Sequence, residues 1–114
     1  MFDHEKLHVY QVSLQFVSWV FVRAHRLKGY FRHARDELIR SSQSMPRNIA
    51  EGNGKRSKAD RNRFFEISRG SALESASILD ELFIMKAFDE QETNEGKELL
   101  YRIVSMLTKM IGSS

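Results

Sequence analysis

The chain has no cysteine. That excludes disulfide frameworks and thiolate metal sites, and it makes the cytoplasm the default compartment. No long hydrophobic run is present either. The most apolar window, from Val9 to Val22, is broken by Gln11, Ser13, Gln15 and Ser18. It falls short of the roughly 20 apolar residues a membrane span needs, so no membrane association is expected. The opening segment MFDHEKLH begins with charge and has no apolar stretch ahead of a cleavage site, so no targeting signal is expected. Strand signals are missing as well. The Asn53-Gly54 pair is followed by Lys-Arg-Ser-Lys, without the alternating flanks of a hairpin. The glycine patterns of nucleotide-binding loops and of serine-hydrolase elbows are absent too.

What is present is helical periodicity in an ordinary soluble composition, 41% apolar and 29% charged. A length of 114 residues suits one domain, residues 1–114, with a core of its own. The first helix is predicted from about Asp3 to Lys28. On it Leu7, Tyr10, Leu14, Val17, Phe21 and Ala24 form a continuous stripe, read as the face toward the core. Val9, Val12, Phe16, Trp19 and Val20 form a second apolar face, read as the contact with another subunit. Gly29 is placed to end this helix in a left-handed cap.

Helix two is predicted to begin at Arg32 or His33 and to carry Leu38, Ser42, Met45 and Ile49 on its buried face. The only proline, Pro46, falls inside it. A kink is expected there, with serine hydroxyls serving the carbonyl that loses its donor. Helix two should end between Glu51 and Gly54. Ser57 is a suitable N-cap for helix three, whose predicted seam is Phe64, Ile67, Ser71, Glu74, Ile78, Leu82 and Met85. Asp89 and Glu92 repeat the capping pattern for helix four, which carries Leu99, Leu100, Ile103, Met106, Leu107, Met110 and Ile111. Gly96 within it should weaken the helix by roughly 1 kcal/mol relative to alanine. Short connections make successive helices antiparallel, so the fold class is an all-α, up-down four-helix bundle with a kinked second helix.

Charge is distributed unevenly. From Arg23 to Arg63 there are twelve Lys/Arg against four Asp/Glu, or +8; from Glu74 to Glu98 there are two against eight, or −6. Arg40, Arg47, Lys55, Arg56, Lys58, Arg61 and Arg63 supply the cations that phosphate contacts require, and they form the candidate nucleic-acid surface. Phe64 and Phe65 both follow the core seam on this reading, which leaves little for base stacking and favours binding without sequence preference. The competing reading pairs the same cations with the acidic segment of a neighbouring subunit.

Two further groupings bear on chemistry. His4-Glu5-Lys6-Leu7-His8 satisfies the H-E-x-x-H pattern of zinc proteases, but it lies at the chain start and a third ligand is wanting, so no metal and no cofactor are assigned. Asn48, Glu51, Ser71 and Glu74 are read as a polar network that fixes helix register. A di-metal carboxylate site would need Glu-x-x-His, and neither glutamate has that histidine.

The segments Ser44-Met45-Pro46-Arg47-Asn48-Ile49-Ala50-Glu51-Gly52 and Phe65-Glu66-Ile67-Ser68-Arg69-Gly70-Ser71-Ala72-Leu73-Glu74 resemble the signature of the bacterial four helix bundle protein family. That family includes proteins encoded in intervening sequences of large-subunit ribosomal RNA genes, and accessory proteins of diversity-generating retroelements. Met45 replaces the family's usual isoleucine, and Ser68 a common alanine. The resemblance implies an up-down protomer in a ring-like homopentamer with no established enzymatic activity. It also carries an expectation of nucleic-acid binding and, for the retroelement members, of contact with a reverse transcriptase. The resulting reading is a non-enzymatic oligomeric bundle that binds RNA or DNA through its basic surface. The alternative is a protein-interaction scaffold or accessory subunit.

Overall fold

A computed structural model describes residues 1–113. It contains four long helices and two short 3-10 turns: α1 is His8–Ala24, α2 Arg32–Asn53, α3 Lys58–Ile84 and α4 Glu90–Gly112, with the 3-10 turns at Asp3–Lys6 and Gly29–Phe31. There is no strand among the described residues. Each helix packs on its neighbours in the chain, and α1 closes the bundle against α4. The result is an up-down four-helix bundle measuring 44 × 24 × 20 Å.

Local chemistry explains the boundaries. Leu7 is extended (φ −75°, ψ 126°) and separates the first 3-10 turn from α1, so the predicted first helix is divided. Gly29 adopts φ +61°, the left-handed conformation its position suggests, although α1 has already ended at Ala24. Ser57 caps α3 by accepting a hydrogen bond from the Asp60 amide at 3.1 Å. Asp89 and Glu92 form a full reciprocal capping box on α4.

α2 stays helical through Pro46. The serine hydroxyls around the proline do not serve the carbonyl of Ser42 as expected. Ser41 donates to the Leu38 carbonyl, Ser42 to the Ile39 carbonyl and Ser68 of α3 to the Met45 carbonyl. These hydroxyls line a row between α2 and α3, where Ser41 and Ser75 meet at 2.7 Å and Ser71 donates to Ser44 at 2.9 Å.

The two faces of α1 are exchanged relative to the sequence reading. Val9, Val12, Phe16 and Val20 are buried in the protomer's own core, and Trp19 packs against that core. They are therefore not available to a second subunit. On the stripe assigned to the core, Leu14 and Phe21 are exposed, Phe21 at 79%. Both faces are apolar, and periodicity alone does not say which of the two meets the other helices; Ser13 on the core face is fully buried and satisfied by donating to the Tyr10 carbonyl at 2.6 Å. The seam of α3 is likewise rotated. Phe65, Ser68, Ala72, Ser75, Leu79 and Leu82 are buried together with Ser71 and Ile78, whereas Ile67 and Met85 are exposed.

Candidate nucleic-acid interface

The interface is built where α2 ends and α3 begins. Gly52 lets the two helices approach closely there. A Cβ at Gly52 would lie 2.9 Å from Phe65 Cε1 and 3.0 Å from Phe64 Cβ. The turn Gly54–Ser57 then projects its basic side chains at one end of the bundle.

The seven cations named from the sequence divide by what they touch. Arg40 is ion-paired with Glu74 across α2 and α3. Arg61 is part of the turn's own architecture: its Nη1 donates to the carbonyls of Asn53 (3.0 Å) and Lys55 (3.3 Å), serving the end of α2. Lys55 lies 3.5 Å from Glu51. Among the described residues, Arg47, Arg56, Lys58 and Arg63 have no carboxylate within ion-pair distance, and all four are exposed. Arg56, Lys58 and Arg61 line a shallow cavity of about 290 Å³ with Asn62, Phe65 and Met110.

The proposed polar network is only partly assembled. Asn48 Nδ2 donates to the Ser44 carbonyl at 2.8 Å and lies 3.0 Å from the Ser44 hydroxyl, which Ser71 in turn contacts. Glu51 and Glu74 stand apart from it, each paired with its own cation. The missing member, Ser44, was legible only as a serine at i−4 to Asn48.

The histidine pattern is also taken apart. His4 sits on the first 3-10 turn and His8 on α1 beyond the extended Leu7, so they do not share the single helical turn the pattern needs. The His4 ring packs against Tyr10, with centroids 4.7 Å apart, while His8 Nε2 lies 3.4 Å from Arg102. No group of three or more His, Cys, Asp or Glu residues converges on a metal-sized site among the described residues. No described helix is long and apolar enough to cross a membrane.

A second feature lies beside the basic turn. Tyr10, Leu14 and Val17 of α1 face Gln43, Pro46, Arg47 and Ala50 of α2 across an open groove of about 640 Å³. The sequence reading placed these α1 side chains in the core and so missed the groove.

The family model of the 23S rRNA-intervening sequence protein matches residues 5–109. The chain belongs to that family. Among curated proteins, none matches the sequence. Among solved structures, a protein with unknown function from the S23 ribosomal protein family of Bacteroides thetaiotaomicron is similar in fold. It has a TM-score of 0.85 at 20% identity, over 92% of this chain and 99% of the other. That likeness extends the bundle architecture to another protein and leaves the surface chemistry of this intervening sequence protein to be argued from its own side chains.

Proposed function

We propose that this intervening sequence protein is a non-enzymatic, oligomeric bundle that binds RNA or DNA with little sequence preference. The observation that carries this reading is the group of exposed cations at the basic turn, Arg56, Lys58 and Arg63, which among the described residues have no carboxylate within ion-pair distance. Cations without an internal partner suit phosphates, because binding releases counterions without first breaking ion pairs. The scaffold alternative needs the acidic segment to be free for a neighbour's cations. Four of its eight carboxylates are paired within the protomer: Glu74 with Arg40, Asp80 with Lys97, Glu92 with Arg23 and Arg26, and Glu95 with Arg23. Assembly is assigned instead to the exposed α1 surface of Leu14, Phe21 and Val22, with the adjoining groove, as the place for a second copy.

The test is charge reversal at the turn. Replacing Lys55, Arg56 and Lys58 with glutamate should abolish binding to long RNA and DNA, while helicity and the mass measured by light scattering stay unchanged. Wild-type binding should fall with salt by roughly 0.9 log units per log unit for each phosphate neutralised on duplex DNA. The proposal fails if wild type ignores long nucleic acid at low salt. Dissociation of the triple variant into smaller species would instead favour the scaffold.

A further inference from the structure

Phe64 and Phe65 are adjacent on α3, and the helix sends them in different directions. Phe65 is 2% exposed and belongs to the core. Phe64 is half-buried and lies outside the core cluster. Its ring has two cations over it: Arg63 Cζ is 4.5 Å from the centroid and Lys55 Nζ is 5.3 Å. Its Cβ is held close to the backbone of Gly52, so the ring projects from a tightly packed helix crossing.

We infer that Phe64 is a base-stacking platform, and that the nucleic acid this surface takes is single-stranded. The inference rests on the nucleic-acid reading above and narrows its ligand. In a duplex the bases are paired and stacked on each other, so a surface ring could meet only phosphates and sugars. In a single strand a base face is free to lie on the Phe64 ring. The cation it displaces from that face has a phosphate within reach, and Arg56 and Lys58 stand ready for the next phosphates along the strand. Stacking on an aromatic ring is tolerant of sequence, because every base has a π-face. A ring flanked by flexible cations therefore suits an unpaired strand of any composition.

The experiment compares two end-labelled probes by fluorescence anisotropy at one salt concentration: an unstructured 20-nucleotide RNA and its blunt duplex. Wild type should prefer the single strand. Phe64→Leu should weaken single-strand binding by about 5- to 150-fold, the range observed when one stacking ring is removed, and leave duplex binding within about twofold. Phe64→Trp should retain single-strand affinity, and its indole fluorescence should be quenched by the RNA beyond what Trp19 shows in the wild type. That second variant keeps the test decisive if the leucine variant folds poorly. Equal losses on both probes, no loss on either, or a wild-type preference for duplex would overturn the stacking role. In those cases the nucleic-acid reading stands as long as the charge-reversed turn still abolishes binding. Absence of binding to both probes overturns the stacking role, and the nucleic-acid reading falls with it if long RNA and DNA are ignored at low salt as well.

Discussion

Phe16→Ala is expected to cost about 3–5 kcal/mol of stability, whereas Phe21→Ala should change it by less than about 0.5 kcal/mol. The two residues lie on the same helix, five positions apart, and both are phenylalanine. Phe16 has no exposed surface and stacks on Trp19 with ring centroids 5.7 Å apart. Truncating it removes buried apolar area and leaves a cavity that the surrounding bundle fills only in part. Phe21 is 79% exposed and has little to lose in the protomer. Its truncation should appear in assembly: light scattering should show a smaller species for Phe21→Ala. Urea unfolding is best measured at low concentration, because the proposed assembly would otherwise add its energy to the apparent stability by mass action. Equal destabilisation by the two variants would contradict the face assignment. An unchanged oligomer for Phe21→Ala would remove α1 from the interface.

Gly96→Ala should destabilise the protein although alanine is the better helix former. Helix propensity alone favours the substitution by roughly 1 kcal/mol. Packing opposes it. A Cβ on Gly96 would lie 2.7 Å from Trp19 Cη2 and 2.8 Å from Leu79 Cδ1. The indole has little freedom to retreat, being stacked on Phe16, set edge-on to Phe88 at 5.6 Å and covered by the Arg23 guanidinium at 4.3 Å. Its ring N–H is buried without a hydrogen-bond partner among the described residues, so packing and the guanidinium alone hold the ring. Overpacking of this kind costs about 1–3 kcal/mol, so the net change should be a loss of up to about 2 kcal/mol, read as a lower urea midpoint with an unchanged slope. A higher midpoint would show that Trp19 can move aside and that Gly96 is merely a weak point in α4.

Where a residue type announced its role, the sequence was a good guide. Ser57 and Asp89 stand where helices begin and do cap them. Leu38, Ser42, Met45 and Ile49 are the buried face of α2, and Leu100, Ile103 and Leu107 that of α4. One source of the failures is that in this bundle small polar residues sit where apolar ones would announce a core. Ser13 on α1 and Ser68 and Ser75 on α3 are fully buried, each satisfied by a nearby carbonyl or a second hydroxyl. On α1 two apolar stripes competed and periodicity chose the wrong one, whereas on α3 the buried Ser68 and Ser75 hid a core face turned partly away from the predicted seam. The same reading placed Phe64 in the core, whereas the structure leaves it half-buried outside the core cluster. Among the candidate site residues, the local excess of cations is legible from composition. That Arg61 is committed to the end of α2 and Arg40 to Glu74 depends on three-dimensional neighbours that no spacing rule supplies.

The serine row between α2 and α3 has a consequence for how the molecule opens. Its cross-helix bonds join residues 23 to 34 positions apart, whereas the ion pair that ties α1 to α4, Arg23 with Glu92, spans 69. Closing the shorter loops costs less chain entropy, by about 0.6 kcal/mol for each halving of length. Small side chains also let these two helices meet closely, so their amides are shielded even while the rest loosens. The α2–α3 hairpin is therefore the unit expected to survive sub-global opening, with α1 and α4 detaching around it. In native-state hydrogen exchange at increasing urea, amides near Ser41, Met45, Ser71 and Ser75 should be the last to exchange, and those of α1 should go first. Uniform exchange of all four helices would mean that the bundle opens only as a whole. Under the expected order, the basic turn belongs to the most persistent part of the chain. The surface offered to a polyanion would then keep its shape while the helix assigned to assembly comes and goes.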